Sequence, residues 1–205
     1  MAARFVSWGR LHPAKAYDRA IRFIALLVEQ GIDARFDLFG PDAGEGEHLR
    51  ALVASLSMED RVRLRGPVSR TDLIEASAGQ AFFLQTSHSE GMCMAAVEAM
   101  QLGPVPVATA VGEMARYVRP DETGIIFDPD QPEIAAGQVA SLLSNPADYD
   151  RLSMAARQHW SAEPVYAHDL CRAAKEAIQD NMHRRLRRGS EMPYSIDRDG
   201  AGNRG

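Results

Sequence analysis

Cysteine and long apolar runs are scarce in this sequence, and each scarcity excludes a class of protein. The two cysteines, Cys93 and Cys171, lie too far apart for a metal-ligand or redox motif. No stretch reaches the roughly 18 consecutive apolar residues of a membrane-spanning helix, and the N-terminal residues lack the apolar core of a secretion signal. We therefore expect a protein of the reducing cytoplasm, without a metal centre or a membrane span.

An excess of positive charge is also absent. The net charge of −5 argues against a general nucleic-acid binder. No G-x-G-x-x-G motif follows the first predicted strand, which disfavours a dinucleotide-dependent dehydrogenase. The remaining composition, 45% hydrophobic and 25% charged over 205 residues, is that of a globular domain with a substantial core.

Short apolar segments that predict strands alternate with amphipathic segments that predict helices. The predicted strands cover residues 4–8, 34–39, 62–64, 81–84, 105–108 and 123–127. The predicted helices cover residues 14–30, 45–57, 70–77, 91–102, 112–118, 134–143 and 147–160. This alternation predicts an α/β fold with a Rossmann-like parallel sheet and helices on both of its faces.

The C-terminal part of the chain changes character. A further helix is predicted at residues 164–182 and would give the fold a helical C-terminal extension. Residues 183–205, which begin His-Arg-Arg-Leu-Arg-Arg and end rich in glycine and charge, are predicted to be disordered. The basic run favours at most a peripheral contact with anionic lipid, and a solvated tail is the preferred interpretation. We therefore expect one domain over residues 1–182 and a tail over residues 183–205.

The segment SHSEGMCMAAVEAMQLGPVP, residues 87–106, holds the most informative pattern. It follows a predicted buried strand, so its loop should lie at the carboxyl edge of the sheet, where ligands bind. With a helix entered at Glu90, Glu98 would lie about two turns, or roughly 12 Å, further along a similar face. The free N–H groups at the helix start, residues 91–94, would suit a phosphate. Alternatively, Glu90 merely complements the helix dipole.

Taken together, Glu90, Gly91, Glu98, Ala99-Met100 and Gly103 resemble the E-x7-E motif of family 4 glycosyltransferases of the GT-B fold. The wider pattern of that family reads approximately E-G-[FM]-x-x-x-x-x-E-A-M-x-x-G-x-P-V, and Pro106-Val107 complete the match. An isolated pair of glutamates at this spacing would be uninformative, because any amphipathic helix can supply one. The surrounding residues are what make the resemblance specific.

A second match follows the first predicted strand. Gly-Arg-Leu-His-Pro-Ala-Lys, with Arg10 and Lys15, resembles the family sequence G-R-L-x-x-x-K-G, although Ala16 stands where glycine is usual. The resemblance implies that Arg10 and Lys15 hold the donor diphosphate. Such cations stabilise a departing nucleoside diphosphate because its negative charge grows in the transition state. Without the glutamate motif, both would be read as ordinary solvated residues.

The same resemblance implies roles for the other motif residues. Glu98 would accept hydrogen bonds from the ribose hydroxyls, and Glu90 would meet the transferred sugar near its 3-hydroxyl. Val68 belongs to a segment that resembles the strand and loop beside the nucleotide base, for which a plain turn is the alternative. No metal or cofactor is implied, since the nucleotide diphosphate sugar is itself the donor substrate. The amides facing the distal phosphate or sugar would be those of Gly91, Met92, Cys93 and Met94.

Several positions depart from the family pattern or stay open. Cys93 and Ala95 stand where glycine and proline are frequent, and Glu113 and Arg116 replace glycine and glutamate of a G-G-x-x-E motif. Donor choice around that loop is therefore open. His88 could act as an acid or a base, but a polar loop group is the favoured interpretation.

The resemblance covers residues 5–182 and implies only the second of the two domains in these enzymes, the C-terminal half of a GT-B fold. We expect a donor-binding domain of a retaining, metal-independent glycosyltransferase that needs a separate acceptor-binding domain or subunit. One alternative is a non-catalytic nucleotide-sugar-binding module or a degenerate remnant. Another is a different GT-B relative, an epimerase or a phosphorylase, although no motif for a pyridoxal-phosphate lysine is present.

Overall fold

Six parallel strands form one sheet in the order β3-β2-β1-β4-β5-β6. The structure, a computed structural model, describes residues 3–161. The strands are β1 (Ala3–Trp8), β2 (Ala34–Phe39), β3 (Val62–Gly66), β4 (Phe82–Gln85), β5 (Val105–Ala108) and β6 (Ile125–Ile126). The parallel, Rossmann-like sheet predicted from the alternating pattern is therefore confirmed.

Helices connect successive strands and cover both faces of the sheet. They are α1 (Tyr17–Glu29), α2 (Gly46–Ser55), α3 (Arg70–Ser77), α4 (Met94–Leu102), α5 (Met114–Tyr117), α6 (Pro132–Ser144) and α7 (Pro146–Ser161). No helix in residues 3–161 combines the length and the apolar character needed to cross a membrane.

Two apolar clusters, one on each side of the sheet, form the core. Phe5 of β1 and Phe82 of β4 stack at 5.0 Å between ring centroids and pack in the cluster with α1. Their neighbours Val6 and Phe83 belong to the opposite cluster, with Val97 of α4. Successive strand residues point to opposite faces, so a strand buried on both sides must be apolar throughout. This requirement explains why the central strands appear in the sequence as continuous apolar runs.

Local chemistry sets several helix boundaries. Ser69 caps α3 by accepting a hydrogen bond from the Asp72 backbone N–H at 3.2 Å. The predicted helix over residues 14–30 is wrong at its start, because Ala16 adopts a left-handed conformation with φ +48°. A short 3₁₀ turn at Pro13–Lys15 precedes that residue, and α1 begins after it.

Other predicted boundaries are too long. The strand predicted at residues 123–127 is only two residues long, and α5 is shorter than the predicted helix over residues 112–118. Thr123 explains the first difference, because its hydroxyl donates to Tyr117 O and accepts from the Arg119 backbone N–H at 2.9 Å, which makes a turn instead of a strand. The predicted helix at residues 164–182 and the predicted tail at residues 183–205 lie outside the described residues.

The strand order places a topological switch point between β1 and β4. From β1 the chain moves outward through β2 to β3, then returns to the other side of β1 and continues through β4, β5 and β6. At such a point the loops leaving two adjacent strands separate to opposite faces and open a crevice at the carboxyl edge. The loops after β1 and β4 carry the two motifs singled out in the sequence.

Candidate active site

The loops after β1 and β4 are bonded to each other. The His88 backbone N–H donates to Ala14 O at 2.9 Å, and the Thr86 hydroxyl donates to Ala16 O at 2.8 Å. These bonds fix the position of the 3₁₀ turn that carries Lys15 relative to the loop that carries Glu90. As a result, Lys15 Nζ lies 2.6 Å from Glu90 Oε1. Two residues separated by 75 positions in the sequence thus form one ion pair at the switch point.

This ion pair is largely removed from solvent. The Glu90 side chain is 10% exposed and the Lys15 side chain is 22% exposed. Attraction between charges is stronger away from water, but each charge has also lost hydration. The lost hydration is replaced in part by the protein, because the Ser87 hydroxyl donates to Glu90 Oε1 at 2.6 Å and the Gln85 amide donates at 3.1 Å.

The start of α4 differs from the prediction. The helix begins at Met94, and its N-cap residue Cys93 has a left-handed conformation with φ +50°. Glu90 therefore lies in a loop before the helix, and the predicted 12 Å spacing to Glu98 along one helix is wrong. Gly91 and Met92 likewise lie in the loop, so their amides are not those of a helix N-terminus. The left-handed backbone at Cys93 is also a physical reason for glycine at the corresponding position of the family.

Tertiary contacts hold this loop in its non-helical path. The Glu113 backbone N–H donates to Gly91 O at 3.0 Å, and the Tyr117 hydroxyl donates to Met92 O. Burial raises the pKa of Tyr117, so its hydroxyl stays a donor. Gly112, with φ +57°, approaches so closely that a Cβ there would lie 2.1 Å from Glu90 O. The segment after β5 thus fixes the backbone of Glu90, while Lys15 bonds its side chain.

Cys93 faces the interior and not the crevice. Its side chain is buried, and burial, assisted by the nearby Glu90 carboxylate, raises the pKa of its thiol to about 11. The thiol is then protonated at neutral pH, and a protonated thiol is a poor nucleophile. Cys93 is therefore a packing residue, whereas Met92 of the same loop is 45% exposed.

Glu98 occupies a neighbouring part of the same sheet edge. Its carboxylate accepts a hydrogen bond from the Trp8 indole N–H at 3.0 Å and another from Arg70 at 3.3 Å. Within residues 3–161 no hydrogen bond joins Glu98 to Glu90. The two acids of the motif therefore serve separate positions, with the Trp8 indole beside Glu98.

Arg10 and Val68 line one open cavity of about 270 Å³. The loops after β1, β2 and β3 form its walls, and Arg10 is exposed within it. Trp8 and Leu73 line both this cavity and the smaller one that contains Glu98. The predicted residues thus fall into three adjoining groups, the Lys15–Glu90 pair, the Arg10–Val68 cavity and the Glu98 pocket.

Sequence reasoning misses several residues of this edge. The sequence pattern places Gln85 in a loop, but it is the last residue of β4, fully buried and bonded to Glu90. Trp8 and Arg70 carry no motif, although both bond Glu98. For Gln85 the sequence gives one signal, a polar residue at the end of an apolar run.

Glu113 and Arg116, the two departures from the G-G-x-x-E pattern, pair with each other at 2.7 Å on the surface.

A doubly wound parallel sheet with charged loops at its switch point is the architecture of a Rossmann-like domain of the GT-B kind. The chain belongs to the family described as glycosyl transferases group 1, which it matches over residues 2–159. The resemblance noted from the E-x7-E motif is confirmed by this match.

Relatives with known names are glycosyltransferases. The chain is 29% identical over 184 residues to a D-inositol 3-phosphate glycosyltransferase of Streptomyces coelicolor, covering 83% of this chain and 40% of that protein. It is 34% identical over 164 residues to the enzyme of the same name from Mycolicibacterium vanbaalenii, covering 74% and 35%. The chain therefore spans about two fifths of the length of these relatives.

Solved structures share the fold. A crystal structure of Anabaena Alr3699/HepE in complex with UDP and glucose superposes with a TM-score of 0.73 at 20% identity, covering 86% of this chain and 48% of that one. The C-terminal domain of the glycosyl transferase group 1 family protein LpcC from Francisella tularensis gives a TM-score of 0.68 at 15% identity, covering 79% and 86%. The second match shows that an isolated domain of that protein has the same fold and a similar extent.

Proposed function

We propose that this domain binds a nucleoside diphosphate sugar and supplies the donor half of a retaining glycosyltransferase. The observation that carries the proposal is the ion pair between Lys15 and Glu90 at the topological switch point, 2.6 Å between Nζ and Oε1. It brings a cation suited to a phosphate and an acid suited to a sugar hydroxyl to the place where open α/β sheets bind ligands.

The proposed division of labour follows the three groups of residues. Arg10 and Lys15 hold the diphosphate, with the arginine fork giving bidentate contacts and the lysine a point charge. Val68 borders the nucleotide base in the cavity that it shares with Arg10. Glu98 accepts the ribose hydroxyls in exchange for part of its present bonding to Arg70, the longer of its two hydrogen bonds.

Glu90 and the loop after it are proposed to receive the sugar. Glu90 accepts a hydrogen bond from a hydroxyl of the transferred sugar, and the backbone of Gly91, Met92, Cys93 and Met94 borders the sugar and the distal phosphate. The single positive charge of Lys15 would then be shared between Glu90 and the departing phosphate. As the glycosidic bond breaks, negative charge on the diphosphate grows, so fixed cations lower the energy of the transition state more than that of the bound donor. Retention of configuration is part of the proposal through the family resemblance.

Transfer also requires a partner for the acceptor. Because the chain spans about two fifths of its named relatives, we propose that a separate acceptor-binding domain or subunit completes the cleft. A cleft closed from both sides excludes water and orients the acceptor hydroxyl. We assign the reaction to the cytoplasm, with at most a peripheral membrane contact.

Titration calorimetry with UDP-glucose, GDP-mannose and ADP-glucose tests this proposal. At least one should bind the wild-type chain, and Arg10→Ala and Glu98→Ala should each raise its Kd about 10- to 100-fold. A hydrogen bond to a charged group contributes about 1.5–3 kcal/mol, and 1.4 kcal/mol corresponds to a tenfold change in affinity.

Matched controls lie at the opposite edge of the sheet. Arg157, beside Gly103 before β5, and Glu29, the last residue of α1, are exposed residues of the same types. Arg157→Ala and Glu29→Ala should leave the Kd within twofold of wild type. Unchanged affinity in both Arg10→Ala and Glu98→Ala, or equal losses in the controls, would refute the proposed site.

A further inference from the structure

Two polar side chains are fully buried directly beneath the Lys15–Glu90 pair. Ser7 lies in β1 and Gln85 in β4, the two strands that meet at the switch point, and both are 0% exposed. Every other residue between Phe5 and Trp8, and between Phe82 and Gln85, is apolar. A buried amide is costly unless its hydrogen bonds are satisfied. Burial of this pair beside a charged group therefore requires hydrogen bonds that replace the lost contacts with water.

Hydrogen bonds connect the buried pair to Glu90. The Ser7 hydroxyl donates to Gln85 Oε1 at 3.5 Å. The Gln85 amide nitrogen donates to Glu90 Oε1 at 3.1 Å and to the Ser87 hydroxyl, which itself donates to Glu90 Oε1 at 2.6 Å. Chemistry fixes this orientation of the amide, because a carboxylate oxygen only accepts, and a flipped amide would place its oxygen against Glu90.

All three donors reach the same oxygen of Glu90. Lys15, Gln85 and Ser87 each donate to Oε1. None of these three donors reaches Oε2, and the buried Cys93 thiol is a further hydrogen-bond partner of the carboxylate. Three donors from two different loops and a strand fix both the position of the carboxylate and its rotation about the terminal bond. Oε2 therefore keeps the capacity to accept a hydrogen bond from a ligand.

We propose that Gln85, held in turn by Ser7, is a positioning residue that orients Glu90 so that Oε2 is presented to the sugar of the donor. This inference rests on the proposed function, because the sugar is the group that Oε2 would meet. Lys15 alone could not fix the orientation, since an ammonium group bonds a carboxylate from many directions. The planar amide, anchored at its own oxygen, supplies the missing direction. A fixed acceptor needs no reorganisation when the donor binds.

The proposal predicts that Gln85 acts on the sugar and not on the diphosphate. Gln85→Leu removes the amide while keeping a buried side chain of similar size. Calorimetry would compare UDP-glucose with UDP, GDP-mannose with GDP and ADP-glucose with ADP. For the pair that binds, Gln85→Leu should raise the Kd of the sugar nucleotide about tenfold and change the Kd of the diphosphate less than twofold. A general loosening of the fold would weaken both ligands together.

Two further variants keep the test decisive. Gln80→Leu makes the same change just before the amino end of β4, where the Gln80 amide donates to Ala76 O, and should alter neither Kd. Ser7→Ala removes the hydroxyl that anchors Gln85 and that also lies beside the buried Tyr17 hydroxyl. It should raise the Kd of the sugar nucleotide about two- to threefold even if Gln85→Leu fails to fold. Equal losses for sugar nucleotide and diphosphate, or no loss in either variant, would overturn the proposal.

A ligand-free measurement separates this proposal from the proposed function. In NMR spectra of the full chain, the side-chain amide protons of Gln85 should exchange slowly with solvent, and Glu90→Gln should shift their resonances. A wild-type chain that binds none of the six nucleotides would contradict the proposed function, and the amide signals would then decide whether the Gln85–Glu90 contact exists. Gln85 amide resonances insensitive to Glu90→Gln would show that the contact is absent.

Discussion

Replacing Gly40 with alanine is expected to lower the free energy of unfolding by about 3 kcal/mol or more. Gly40 follows β2 with φ +143°, and a Cβ there would lie 1.8 Å from the Gly9 carbonyl oxygen and 2.7 Å from its carbon. Both are backbone atoms, so the rotation of a side chain cannot relieve the clash. The Gly40 backbone N–H also donates to Gly66 O at 2.9 Å. The loops after β1, β2 and β3 would have to separate, and with them the walls of the cavity around Arg10.

Two control glycines separate the contributions to this effect. Gly66 has φ +73°, and a Cβ there would meet nothing within 4 Å, so Gly66→Ala should cost only the backbone strain, about 1 kcal/mol. Gly137 is an exposed residue inside α6 with equally open surroundings, so Gly137→Ala should stabilise by about 0.5–1 kcal/mol. Urea denaturation measures all three variants. Gly40→Ala within 1 kcal/mol of Gly66→Ala would contradict the close approach.

Lys15→Met should be the most damaging change to the charged site. Methionine keeps most of the length of the side chain and removes its charge, which leaves Glu90, only 10% exposed, without its cation. Breaking a buried pair typically costs 3–5 kcal/mol. Ser87 and Gln85 still donate to Glu90 here, so we expect a loss of about 2–3 kcal/mol in the free energy of unfolding. The affinity for the donor should fall about 100-fold, because the diphosphate loses the same cation.

A double-mutant cycle identifies the source of that loss. Glu90→Gln removes the charge that Lys15→Met leaves uncompensated, so the double variant should be more stable than the sum of the two single losses by about 1–2 kcal/mol. Donor binding should not recover, because neither change restores a cation for the phosphate. Strictly additive losses of stability would contradict an energetically coupled pair, and recovered donor binding would contradict the role of Lys15.

The strands of the sheet are predictable because the burial of each strand is evident from its own residues. A strand covered on both faces must be apolar throughout, and the runs around Phe5, Phe36 and Phe82 report that burial directly. Once the strands are placed, their parallel order brings the loops carrying Lys15 and Glu90 to adjacent strand ends. That order comes from the structure, and the motif resemblance implies the same pairing of the two loops.

The start of α4 is not predictable from local preferences. Met92, Met94 and the alanines that follow are good helix formers, so the sequence favours a helix from the motif glutamate onward. Contacts from the segment after β5 override that preference, since Gly112 packs against Glu90 and Tyr117 bonds Met92. Those partners lie more than twenty residues away, and their proximity follows only from the folded chain.

The burial of Gln85 is not predictable from the sequence for a related reason. A polar residue after an apolar run usually marks the end of a strand and the beginning of a loop. Here the amide is buried because Ser7 of the neighbouring strand and Glu90 of the next loop satisfy it. Its role depends on three segments meeting at one point, which the strand order shows and the linear sequence does not.

A crystal structure of the chain with the nucleoside diphosphate that binds it would show directly whether Arg10 and Lys15 meet a nucleotide at the switch point. We expect the diphosphate within hydrogen-bond distance of the Arg10 guanidinium and the Lys15 amine, and the base in the cavity bordered by Val68. A nucleotide seated elsewhere, for example in the cavity lined by Arg19 and Asp128, would contradict the proposed donor site. So would a diphosphate in the crevice that touches neither cation.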